Sequence, residues 1–138
     1  MSTSGSGLRY NAPPTYHADA LMQQANPVQN TWYTILNTST NLRVYGAGVA
    51  VADTNETLEL KLTIDGNTLT GTQAAVAGTM YIALKDAGSN ATTLTMSATQ
   101  YNLMRYSPLD CKSFKAEVRK TTAAGVGTIT GRVVYSQW

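Results

Sequence analysis

One cysteine and one histidine are all that 138 residues supply of the side chains most used for metal binding and nucleophilic chemistry. Cys111 has no partner, so no intrachain disulfide can form, and the domain is held by packing alone, as suits a reducing compartment. His17 is too remote in sequence from Cys111 for the two to form a zinc-binding cluster with the usual spacing. A Ser-His-Asp or Cys-His arrangement would need His17 folded across the whole domain, and no Gly-x-Ser-x-Gly elbow accompanies it. The expectation is a protein that is not an enzyme and carries no cofactor.

Charge is scarce as well, at 13% of residues against about 25% in ordinary soluble domains. The net charge is +2, and the ten basic residues are scattered; only residues 112–120 are locally basic, and Glu117 interrupts them. Nucleic-acid affinity comes from several clustered phosphate contacts, so no nucleic-acid partner is expected. Long apolar runs are missing too: the longest stretch of low polarity, residues 44–52, is far too short to cross a bilayer. The opening Met-Ser-Thr-Ser-Gly-Ser-Gly lacks the basic and apolar regions of a secretory signal. Synthesis in a cytoplasm, with no membrane association, follows as the expectation.

Acidic groups do not converge. Asp53, Glu56 and Glu59 are the one close set, and an odd spacing puts Glu56 and Glu59 on opposite faces of a strand. Asp53, Asn55 and Glu56 offer oxygen atoms to a calcium ion, but the same residues serve turns by satisfying local backbone donors, which is the reading adopted. Gly46-Ala47-Gly48 lacks the third glycine and the following helix of a dinucleotide site. Asn-x-Ser/Thr triplets at Asn37, Asn55 and Asn90 are read as loop sequence.

What the chain does have is threonine, 21 of them, and 43% hydrophobic residues, enough for one continuous core. Threonine fits a pleated sheet whose outer face stays wet, and a polar surface with few charges suits lateral packing against neighbours. Period-two alternation is clearest over 56–64, where Leu58, Leu60, Leu62 and Ile64 share a face. Phe114, Ala116 and Val118 repeat the design, as do Met80, Ile82 and Leu84. Strands are also expected at 31–36, 42–52, 68–72, 93–98 and 128–137, which makes eight. Within 42–52 the apolar phase slips from Leu42 and Val44 to Val49 and Val51, which calls for a bulge near Gly46 and Gly48. Asp65-Gly66-Asn67 signals a tight hairpin, and Ala123-Ala124-Gly125 is read as closing the last one. Residues 85–92 and 101–110 are longer connections. Eight short strands without long helices imply an all-β fold, a single antiparallel β-sandwich of the eight-stranded jelly-roll kind over residues 31–138.

Residues 1–30 differ from the rest. They carry only Arg9 and Asp19 as charges, and Pro13, Pro14 and Pro27 block regular structure, leaving room for a turn or two of helix over 18–25. Ordering thirty such residues costs on the order of 30 kcal/mol of backbone entropy, which calls for roughly 1,200 Å² of apolar burial or equivalent hydrogen bonding. The segment cannot supply that from its own side chains. It must lie on its own domain or on a neighbour, and adding a strand to a sheet edge is the economical way to pair its backbone.

The segments NTWYTILNT at 30–38, NETLELKLTIDG at 55–66, SFKAEVRKT at 113–121 and TITGRVVY at 128–135 resemble small virion proteins of tailed bacteriophages, jelly-roll or β-sandwich proteins that decorate or cement capsids. The resemblance spans about residues 30–136. It implies a viral structural protein of the virion, a capsid decoration, cement or minor capsid protein, whose partners are the major capsid protein and copies of itself, a trimer being favoured. On that reading the N-terminal arm links neighbouring subunits, with Tyr10, Pro13, Tyr16, Leu21 and Met22 in the arm and Trp32 and Trp138 as anchors. The alternative is a carbohydrate- or host-receptor-binding module of a phage fibre or tail, for which the loop residues Tyr101 and Tyr106 are the stacking candidates.

Overall fold

Alternating side chains can bury one face only if a second layer covers it, and the chain meets that demand with two sheets. The structure, a computed structural model, describes residues 16–85, 94–98, 109–123 and 127–137. Among these residues there is no helix and there are ten strands: β1 (Tyr16–Gln24), β2 (Tyr33–Thr38), β3 (Leu42–Val51), β4 (Glu56–Ile64), β5 (Asn67–Ala75), β6 (Met80–Lys85), β7 (Leu94–Ser97), β8 (Leu109–Cys111), β9 (Phe114–Lys120) and β10 (Ile129–Gln137). One sheet runs β1-β10-β3-β6-β7, with β8 added to β3; the other runs β2-β9-β4-β5.

Every pairing is antiparallel, and the order has a simple logic. β4 pairs with β5, β3 with β6, β2 with β9 and β1 with β10, like the levels of one long hairpin rolled so that alternate levels fall in opposite sheets. That is a jelly roll. Leu42, Val49 and Val51 of β3, Leu58 and Leu60 of β4, Phe114 and Val118 of β9 and Ile129 and Val133 of β10 form its dry centre.

The sequence expectation of eight strands is corrected to ten by β1 and β8. β1 replaces the helical turn expected over 18–25. Its residues favour helices, but the backbone pairs along its whole length with β10, and that tertiary pairing overrides propensity. β8 is three residues long and pairs with Leu42–Val44, too short a segment for periodicity to announce. Two further expectations change. Met80 and Ile82 do share a face, but it is the outer one, where they cluster with Val134 and Tyr45, while Tyr81 enters the core. Ala123 follows β9, and β10 belongs to the other sheet, so the β9–β10 connection crosses between sheets and closes no hairpin.

The slip in β3 is a bulge. Val134 pairs with Gly46 and Tyr135 with Val44, so Tyr45 is the extra residue. Asp65 and Gly66 form the β4–β5 hairpin with positive φ at both positions (49° and 86°), the backbone of a type I′ turn.

Candidate interaction surfaces

The strand registers gather eight strand ends at one pole of the sandwich. Gln24 pairs with Ile129 and Ile129 with Val51; Met80 pairs with Ala50; Leu58 pairs with Lys120, Tyr33 with Val118 and Glu56 with Ala75. The connections at this pole are knitted together by hydrogen bonds. Asn55 Oδ1 accepts from the Ala77 amide at 2.9 Å, the Gln29 amide group donates to the Thr121 carbonyl at 2.9 Å, and the Thr57 amide donates to Thr122 Oγ1 at 2.6 Å. Asn55, one of the calcium candidates, is thus occupied by a backbone donor.

Two turns at this pole repeat one device. In Val28–Thr31 and in Val76–Thr79 the fourth residue's amide donates to the first residue's carbonyl, at 3.2 and 3.1 Å. The third residue, Asn30 or Gly78, has φ of 62° or 84° and donates its amide at 2.8 Å to the last residue of a neighbouring strand, Lys120 of β9 or Val51 of β3. The first residue's amide donates to the hydroxyl of a tyrosine five positions on, Tyr33 at 2.9 Å or Tyr81 at 3.0 Å. The recurring Val-x-(Asn/Gly)-Thr-x-Tyr at 28–33 and 76–81 is the signal that the sequence reading missed. Each unit leaves its leading valine exposed, Val28 at 63% and Val76 at 53%.

Beneath this pole lies a buried ion pair. Glu56 and Lys120 both point inward, and Lys120 Nζ lies 3.7 Å from Glu56 Oε2 with both side chains almost wholly removed from water. Neither carboxylate oxygen of Glu56 accepts a hydrogen bond. The arrangement is a closed structural pair, with no open coordination position facing solvent.

The outer face of the β2-β9-β4-β5 sheet carries opposite charges directly across strands. Glu59 faces Arg119, with Oε1 2.6 Å from the guanidinium, and Lys61 faces Glu117 at 3.5 Å, with Lys115 adding a second contact to Glu117 at 3.6 Å. Trp32, half-buried, stacks with Lys61 Nζ 4.3 Å and the Arg119 guanidinium carbon 4.5 Å from its ring centre. Its ring therefore fixes two cations of its own sheet.

At the opposite pole Asp65 Oδ1 accepts from the Lys112 and Ser113 amides at 2.7 and 3.0 Å. Arg43 grips Asp110 with two hydrogen bonds of 2.8 and 3.1 Å; that contact holds the Asp110 carboxyl below its ordinary range and raises the Arg43 guanidinium. Cys111 lies beside them, its thiol pushed up to about 11 chiefly by burial, with Asp65 and Asp110 adding to the effect. Such a thiol is inert at neutral pH. Asn41, Leu42, Asp65, Asp110, Cys111 and Lys112 line a concavity of about 320 Å³ here.

Of the residues singled out for assembly, Tyr16 opens β1, Leu21 stands exposed on its outer face, and Met22 turns inward to pack on the core. Tyr10, Pro13 and Trp138, and the alternative sugar-binding pair Tyr101 and Tyr106, lie outside the described residues. No group of three or more His, Cys, Asp or Glu converges among the described residues.

The fold thus defines an all-β jelly-roll sandwich. No protein-family model matches the chain, and no curated protein matches it. Among solved structures it is similar to a chain of the acid-stable capsid of Helicobacter pylori bacteriophage KHP30, at 11% identity over 90% of each chain with a TM-score of 0.49. It is also similar to chains of infectious bursal disease virus, in T=1 particles (15% identity, TM-score 0.33) and in the T13 particle (15%, 0.34). In both of these it covers 90% of its own length and 36% of the other chain.

Proposed function

We propose that this chain is a non-enzymatic structural protein of a virus particle, which packs its sandwich against the shell and reaches neighbouring subunits through its N-terminal segment. The observation that carries the reading is where that segment joins the fold. β1 is the outermost strand of its sheet and leaves Leu21 62% exposed, so residues 1–15, with Tyr10 and Pro13, connect to the sandwich at a sheet edge. Support comes also from the jelly roll, an architecture that serves capsid and lectin domains, and from described charges spent in pairs across and between strands. The finer reading is a decoration, cement or minor capsid protein, with the major capsid protein and copies of itself as partners in a symmetric grouping.

The test compares the full chain with one beginning at Tyr16, which keeps all ten strands. Both are mixed with particles that lack the protein and sedimented. The full chain is expected to co-sediment and the shortened one to remain folded but free. Equal binding by both forms overturns the linking role, and binding by neither overturns the structural one.

A further inference from the structure

A sheet edge is a row of unpaired backbone donors and acceptors, and natural sheets blunt their edges by shortness, bulges, lysine or proline. Among the described strands, the edges other than β1 are treated in this way or covered, β8 by being only three residues long. β7 is four residues long. β2 is broken by a register shift between Thr34 and Leu36. β5 runs against β7 so closely at Gly71 that a Cβ there would lie 2.7 Å from the Leu94 carbonyl oxygen.

β1 lies near β2 of the other sheet without a backbone hydrogen bond to it, and its own sequence carries none of these devices. It is nine residues long, contains neither proline nor lysine nor glycine, and pairs with β10 without a register shift. Its one charge, Asp19, is neutralised by Arg132 of β10 at 2.6 Å. Along its free side no backbone hydrogen bond is made to any described residue. On its outer face stands Leu21, one of the three large apolar side chains exposed among the described residues.

We propose that this edge is completed by β1 of a second copy of the chain, antiparallel across a twofold axis, so that two sheets join into one. The sequence of β1 selects the register. Asp19, Leu21 and Gln23 point outward, while Ala20 and Met22 pack toward the core. A continuous sheet must keep outward residues opposite outward ones, which forbids every register displaced by one residue. Centring on Ala20 sets Leu21 against Asp19 of the other copy, and centring on Met22 sets it against Gln23. Centring on Leu21 instead places leucine on leucine, Asp19 beside the Gln23 amide of the second copy twice over, and Ala20 beside Met22. In that register Ala18 through Gln24 all find partners, and the contact is isologous and therefore closed.

The inference deepens the assembly reading above, but its test needs only the purified full-length chain. Leu21→Cys introduces a thiol whose counterpart in the second copy lies directly opposite, within disulfide reach of a paired strand position. The buried native Cys111 does not compete. Mild oxidation is expected to convert this variant to a covalent dimer, whereas Val28→Cys and Val76→Cys, equally exposed, remain single chains. Asp19→Cys and Gln23→Cys are expected to cross-link when mixed and far less when oxidised alone. Leu21→Lys is expected to keep the circular-dichroism spectrum of the folded sandwich and to leave the light-scattering mass at one chain, where the natural sequence gives two. A natural chain that scatters as a monomer up to its solubility limit, or cross-linking no stronger at residue 21 than at the two valines, overturns the pairing. A monomer that still enters particles would overturn the pairing alone, and a cross-linked dimer that never does would overturn the assembly reading alone.

Discussion

Lys120 Nζ stands 3.7 Å from Glu56 Oε2 inside the sandwich, and neither carboxylate oxygen accepts a hydrogen bond to offset its burial. A pair placed in this way resists the loss of one member far more than the loss of both. Lys120→Met is expected to destabilise the fold by about 3–5 kcal/mol, because it strands a buried carboxylate. Adding Glu56→Leu to that variant is expected to recover most of the loss, since a packed apolar pair is about neutral against a buried ionic one. Urea unfolding followed by tryptophan fluorescence measures both. Equal destabilisation by the single and double variants would show that packing, and not charge, governs the site.

The two Val-x-(Asn/Gly)-Thr-x-Tyr units make a separate pair of equivalent sites. Tyr33→Phe and Tyr81→Phe each remove one hydroxyl acceptor from a turn amide and are each expected to cost about 1 kcal/mol, more at Tyr81, which is more deeply buried. The double variant is expected to lose the sum, because the turns share no residue. Chemical denaturation with an unchanged m-value tests this, and a shift below about 0.3 kcal/mol for either variant contradicts the role assigned to its hydroxyl.

Strong alternation is what made the sandwich legible. Leu58, Leu60, Leu62 and Ile64 could belong only to a half-buried strand, and the phase slip before Val49 could be absorbed only by an irregularity, found one residue before Gly46 at Tyr45. β1 escaped because Ala18, Ala20 and Met22 are weak markers of a buried face, and its partner β10 lies at the far end of the chain. Met80 and Ile82 misled because apolar alternation reveals which residues share a face but not which side of the sheet that face lies on. The surfaces were harder still. Trp32 was expected as an assembly anchor; its ring stacks instead within its own chain on Lys61 and Arg119, which come from two other strands that no local pattern joins to it.

Gly71 and Gly66 separate close approach from backbone strain. A Cβ on Gly71 would meet the Leu94 backbone oxygen at 2.7 Å, an atom that moves only if β7 moves with it. Gly66 faces open space but sits at φ 86°. Gly66→Ala is therefore expected to cost about 1 kcal/mol of conformational strain. Gly71→Ala is expected to cost about 1–3 kcal/mol and to loosen β7, visible as faster amide exchange over residues 94–97. Equal exchange in the two variants would mean that the β5 and β7 edges are not in contact in solution.

Cys111 gives the fold an alkaline limit. Its thiol is raised from about 9 to about 11, so the folded state prefers the protonated form. The sign follows from linkage: the contribution is fully present below the unfolded-state value near 9 and is lost progressively as pH rises through 9 to 11. Natural protein and Cys111→Ser are therefore expected to differ in melting temperature by a constant amount up to about pH 8, with the gap closing toward pH 11 as thiolate formation favours the unfolded chain. A thiol-reactive dye at pH 8 is expected to label native protein slowly and urea-unfolded protein at once. Rapid labelling of the native state would place Cys111 in contact with water and remove the burial on which the shift depends.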